Sequence, residues 1–289
     1  MIQSMTGFAV GDRPVGAAAI HLELKSVNSR FLDVTFRCGE ELRFLEMPVR
    51  EQLAAKVGRG KVECRMNIVP SAEGARRELV PDGALVAQLG RLDQAVRRTL
   101  PDAAPLSVAE VLRWPGVLGD DSLDPATLQG ECLALLGGVV AEFTASRLRE
   151  GAKLAAVILG HVAKMRELVV RVGPLVPLAI ADYEQRLTAK LREAVAALDE
   201  ERIRQEIGVV AARIDVAEEL ARLATHLDEV QRVVDKGGAV GKRLDFLMQE
   251  LNREANTLAS KSVSTEVTAI ALDLKLLIEQ MREQVQNLE

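Results

Sequence analysis

Asp215-Val216-Ala217-Glu218-Glu219-Leu220, leading to Arg222 and His226, then Lys236-Gly237-Gly238-Ala239-Val240-Gly241, then Lys242 through Lys261, is the stretch that decides how this chain folds. In its first half Val216, Leu220, Leu223, Leu227, Val230 and Val234 recur at steps of four and three, the seam of an amphipathic helix. At about 100° per residue, Asp215, Glu219, Arg222 and His226 fall within roughly 60° of one another beside that seam. In the second half Leu244, Leu247, Met248, Leu251, Ala255 and Leu258 form the seam. Glu250, Glu254, Thr257 and Lys261 flank it on one side, and Asp245, Gln249, Asn252 and Asn256 on the other. The glycines between the halves end one helix and release the next. If the two seams pack as an antiparallel hairpin, carboxylates and one imidazole converge at its edge.

The residue types at that edge suit a divalent cation. Glu219, His226, Glu250 and Glu254 offer carboxylates and one imidazole, a set for Mg²⁺ or Mn²⁺, with the imidazole favouring Mn²⁺. Glu250 and Glu254 stand four residues apart on one face, where like charges repel and a bound cation would offset the cost. The plain alternative is a solvated helix edge. Glu218 cannot share the face of Glu219 and is expected to pair with Arg222. Lys242, Arg243, Arg253 and Lys261, with Arg222, form a local basic set suited to phosphate contact, or to ordinary surface charge balance. Asn252 and Asn256 are suited to orienting a ligand or capping carbonyls. His21 and His161 lack such company. Gly241-Lys242 is followed by Arg243 and not by Ser or Thr, so the glycines do not make a nucleotide-hydrolysing loop.

The string GKRLDFLMQELNREANTLASKS from Gly241 to Ser262 resembles the C-terminal signature of the YicC/YloC family of bacterial endoribonucleases. The opening MIQSMTGFA, the LELKSVNSRFLDV segment and the closing REQVQNLE are similar to the same family, so the resemblance spans the chain. It implies metal-dependent cleavage of RNA by an oligomeric protein, and it points to a homohexamer. The competing expectation from a different class is a non-catalytic RNA-binding scaffold or chaperone that recruits other nucleases.

The rest of the chain bounds these expectations. A length of 289 residues allows two domains, or one with a long extension. A net charge of −5 argues against a general nucleic-acid coat, and only one Trp and one Tyr argue against a base-stacking platform. Cys38, Cys64 and Cys132 are scattered and lack metal spacing, which reads as small apolar packing. The polar N-terminus and the lack of 18 uninterrupted apolar residues lead to the expectation of a cytoplasmic protein with no membrane partner.

Residues 1–70 read as a small sheet: strands around Ala19–Leu24 and Phe31–Arg37, a helix through Leu42, Leu45, Val49, Leu53 and Val57, and a strand through Val62–Ile68. Asn28, Arg30, Arg59 and Lys61 sit in turns beside these strands, a candidate basic rim for guiding RNA, with Arg30 and Lys61 its named RNA contacts, or else a solvated turn. Residues 70–81 read as a loop, and 82–172 as helices: 85–100, a turn-containing connector at 106–118, and two helices, 128–149 and 152–172, separated at Gly151. Gly173-Pro174-Leu175-Val176-Pro177 marks the expected boundary. Beyond it lie a helical arm at 173–214 (Tyr183 to about Glu206 in one helix) and a helical catalytic domain at 215–289. Its last helix, about 265–287, carries a seam of Val267, Ile270, Leu274, Leu277, Met281 and Val285, with Ser262 or Ser264 as the expected cap. The fold class is therefore α+β, a sheet domain followed by a mostly helical region. The long apolar seams from Tyr183 to Val234 and from Val267 to Val285 lead to an expectation of self-association.

Overall fold

The structure, a computed structural model, describes residues 1–16, 18–70, 80–118, 124–194 and 200–289. Most of the loop expected at 70–81 and the middle of the helix expected from Tyr183 to Glu206 lie outside the described residues. Four strands, β1 (Gly7–Val15), β2 (Ala18–Val27), β3 (Leu32–Cys38) and β4 (Gly60–Pro70), form one sheet in the order β1-β2-β4-β3. The β1–β2 and β2–β4 pairs are antiparallel, and β3–β4 is parallel. A 3₁₀ turn (Glu40–Leu45) and α1 (Glu46–Ala54) link β3 to β4. Period-two patterning sends Ile20, Leu22, Leu24, Val62, Cys64 and Met66 to one face, all buried.

β1 is absent from the reading by alternation, and packing supplies the reason. It buries only Ala9 and Val15 and carries glycines that read as loop. At Gly11 a Cβ would come within 2.7 Å of Val139 Cγ2, so the missing side chain lets the covering helix lie against the strand.

The helical part begins with α2 (Gly83–Thr99), capped by the Asp82 carboxylate, and α3 (Val108–Arg113), which opens on a capping box between Ser107 and Glu110. α4 (Pro125–Ala194) is a single helix. Gly151 does not divide it. A Cβ there would stand 2.3 Å from the Ile2 carbonyl oxygen, so this glycine admits the N-terminal segment against the helix. Pro174 and Pro177 also lie inside the helix and do not end it. α4 reaches the length and apolarity of a membrane span, but its apolar residues feed two internal cores. Leu128, Cys132, Leu136, Val139 and Phe143 pack on the sheet. Ile158, Val162, Met165 and Val172 pack into the second core.

That second core is built by α6 (Ala217–Lys236), α7 (Gly241–Lys261) and α8 (Thr265–Val285), after α5 (Glu200–Ile214) has packed back against α4. The seams expected in α6 and α7 are buried, apart from a half-buried Leu220. The α8 seam is buried too at Val267, Ile270, Leu274, Met281 and Val285, but Ile278 takes the buried place expected of Leu277, which is half-buried. These seams are thus consumed within one chain and leave little for a partner. Ser264 occupies the cap position of α8, but its side chain makes no capping bond.

The two ends of the chain meet at α4. Ser4 and Leu288 form a bridge, Met5 N donates to Asn287 O at 2.8 Å, and Glu289 N donates to Gln3 O at 2.9 Å. Arg147, 1% exposed, donates from Nε to Ser4 O at 2.6 Å, from Nη2 to the Glu289 carboxylate, and lies over the Phe143 ring.

Candidate functional site

α6 and α7 run antiparallel, as their cross-links show: Arg222 to Glu254, Glu219 to Lys261, and Glu229 to Arg243. Along one edge of this hairpin His226, Glu250 and Glu254 each bring a ligand atom within 4.8 Å of the other two. Glu254 is buried at 3% exposure, while His226 and Glu250 are half-buried. Two donors at about 2.1 Å from one ion lie up to about 4.2 Å apart, so this span fits a shared cation after small rotamer movement. The two glutamates are stacked one turn apart with modest compensation. Arg222 Nη1 is 3.4 Å from Glu254, and Arg253 Nη1 is 4.0 Å from Glu250. A buried carboxylate so weakly paired beside a second one is an electrostatic deficit that a divalent cation would fill.

Glu219, grouped with these residues in the sequence, stands apart from them. Its Oε1 accepts from Lys261 Nζ at 2.8 Å, and Lys261 also donates to the Asp215 carbonyl at 2.9 Å. Glu219 Oε2 is buried without a hydrogen-bond partner among the described residues. The reason is distance along the helix: Glu219 is seven residues from His226, about 10 Å of axial rise, although the two share a stripe.

The cations expected to hold phosphate divide into two groups. Those near the glutamates are already engaged. Arg222 binds Glu218 and Glu254, and these partners, Glu218 first, hold its guanidinium still more firmly protonated. Arg253 faces Glu250, and Lys261 is committed to Glu219. Arg243 shares Glu229 with Arg232, lies over the Phe246 ring, and helps bring the Glu229 carboxyl down to about 2, with the Arg232 hydrogen bond as the largest cause. Lys242 and Arg30 instead turn into a cleft between the lobes, with Asn28 and Arg59. Lys61 and Asn256 are exposed, on β4 and α7. Arg147, which has no motif around it, is the residue that reading the sequence missed.

The remaining chemistry is bland. Burial pushes the Cys64 thiol up to about 12 and the Cys132 thiol up to about 11, and all three cysteines are free. His21 does have company, since its Nδ1 is 2.6 Å from Asp12 Oδ1, but this pair lies on the β1–β2 ribbon.

Comparison with known proteins places the chain. Residues 2–156 match the family described as endoribonuclease YicC-like, N-terminal region, and residues 172–289 match endoribonuclease YicC-like, C-terminal. A probable endoribonuclease YicC of Haemophilus influenzae is 39% identical over 289 residues, covering all of both chains. One of Clostridioides difficile is 26% identical over 295 residues, again covering all of both. With both family regions matched end to end, the chain belongs to the YicC-like endoribonuclease family.

Proposed function

We propose that this protein is an endoribonuclease that cleaves RNA phosphodiester bonds with a divalent cation held by His226, Glu250 and Glu254, serving RNA turnover or small-RNA regulation in the cytoplasm. Family membership supports RNA cleavage in general. The observation that carries the metal reading is the mutual approach of the three ligand atoms on the α6–α7 edge. Such a cation, Mn²⁺ or Mg²⁺, would stabilise negative charge developing on the phosphate and make water a better nucleophile. The protein's own groups divide the remaining work by exposure. The Glu254 side chain, 4% exposed, is the inner ligand, positioned by Arg222. The Glu250 side chain, 27% exposed, reaches solvent and suits accepting a proton. Arg222, half exposed, stands where it can exchange its Glu254 contact for a phosphate oxygen.

The scaffold reading has one observation in its favour, since Arg222, Arg243, Arg253 and Lys261 all contact carboxylates as interface residues would. Purified protein on labelled RNA separates the two. Cleavage that stops with EDTA and returns with Mn²⁺ is expected, and binding without cleavage under both conditions would establish the scaffold.

Self-association belongs to the same proposal, with a homohexamer as the expected state, but its surface is not the C-terminal seams. α2 buries only Leu89. Leu92, Val96, Leu100, Leu112 and Trp114, on or just after α2 and α3, remain exposed, apolar surface that a second copy would cover. Light scattering at micromolar concentration is expected to give a multiple of the chain mass. A monomer mass with full activity would remove assembly from the account.

A further inference from the structure

We propose that the cleft between the sheet lobe and the start of α7 binds a backbone phosphate of the RNA strand, about four nucleotides from the bond cleaved at His226, Glu250 and Glu254. This rests on the endoribonuclease reading and gives its substrate a second point of attachment. The cleft has a volume of about 310 Å³ and is lined by Asn28 and Arg30 from the β2–β3 turn, Arg59 from the turn before β4, and Lys242 and Asp245 from α7. That is room for a nucleotide-sized group, at the small end of ligand sites.

Charge makes the case. Among the described residues, Arg30, Arg59 and Lys242 form no ion pair, whereas the cations beside the glutamate pair all contact carboxylates. Asp245 in the cleft lies 3.8 Å from Arg282 and accepts from Gln249 at 3.0 Å, and the three cations outnumber this one carboxylate. Their side chains are also partly fixed. Arg59 Nε donates to the Arg30 carbonyl at 3.2 Å, which aims its remaining N–H groups, and the Arg30 guanidinium lies over the Phe31 ring at 5.3 Å. Asn28 Nδ2 donates to Gln286 O at 2.7 Å and holds the turn against the C-terminal segment. Three cations from three separate segments, converging in a chain of net charge −5, select a polyanion over a neutral ligand. Fixed guanidinium forks beside an ammonium suit phosphate oxygens.

Geometry sets the spacing. Lys242 precedes Glu250 by eight residues and Glu254 by twelve, about 12 to 18 Å along α7. A stacked strand advancing about 3.4 Å per nucleotide covers that in about four or five nucleotides.

Binding of 2′-O-methyl RNA, which needs no cleavage, tests the cleft independently of the nuclease reading. The full-length protein is expected to bind an eight-nucleotide strand at least tenfold more tightly than a three-nucleotide strand that cannot span both points. The R30Q/R59Q/K242Q variant is expected to lose that step, and its log–log salt slope to fall by about 0.7, the share of one phosphate contact. Where the triple variant melts early, R30Q alone at an exposed turn is expected to shrink the length step and to lower the slope by part of that amount. A length step and salt slope equal to those of the unsubstituted protein, in a variant that melts normally, would overturn the proposal. If the unsubstituted protein fails to cleave RNA while the variant still loses the step, the cleft stands and the nuclease reading falls.

Discussion

Glu254→Gln is expected to lower RNA cleavage by about 10²–10³-fold, the scale of losing one preorganised electrostatic group at a reacting centre. The substitution keeps the volume of a side chain that is 4% exposed, so no cavity opens. It leaves an oxygen for Arg222, which lies 3.4 Å away. It also removes repulsion with Glu250 one turn earlier, so the melting temperature is expected to hold or rise. Activity that collapses while stability does not is the signature of a group kept for chemistry at a structural cost. Glu250→Gln is expected to behave alike. Full turnover in a well-folded Glu250→Gln/Glu254→Gln protein would remove the site.

Arg147→Met is expected to show the opposite signature, a large loss of stability with the hairpin chemistry untouched. Arg147 is buried between α4 and both chain ends, where it serves Ser4 O and the Glu289 carboxylate. Methionine fills much of the volume but leaves Glu289, whose side chain is 16% exposed, without its cation. Breaking a buried pair from one side costs about 3–5 kcal/mol, less here because Glu289 also accepts from Gly58 N at 2.8 Å. A loss of about 3 kcal/mol in a chain of this size lowers the melting temperature by roughly 6–12 °C. Calorimetry of the variant measures it, and a shift under 2 °C would show that the clasp between the ends contributes little.

These two residues mark what could be read from the chain and what could not. α6, α7 and α8 were legible because each carries its apolar residues on one stripe, and a stripe must be buried somewhere. Pairing two such stripes antiparallel was enough to bring His226 near Glu250 and Glu254. Glu219 shares their angular stripe around α6, but its seven residues of axial separation from His226 set it beside Lys261 instead. β1 and the continuity of α4 were illegible for a shared reason. Gly151 reads as a break and Gly11 leaves β1 without a side chain to show its alternation, yet each is a place where another backbone or helix presses close. Arg147 gave no signal because its partners, Ser4 and Glu289, lie at opposite ends of the chain. The division of cations into engaged and unengaged sets likewise depends on partners far away in sequence.

The central claim is that His226, Glu250 and Glu254 together hold a divalent cation. Anomalous diffraction from crystals of this protein grown with Mn²⁺ tests it most directly. The account predicts one strong peak about 2.1–2.2 Å from a nitrogen of His226 and from oxygens of Glu250 and Glu254. A peak bound elsewhere, or none at this edge under conditions where the crystallised protein cleaves RNA, would contradict it.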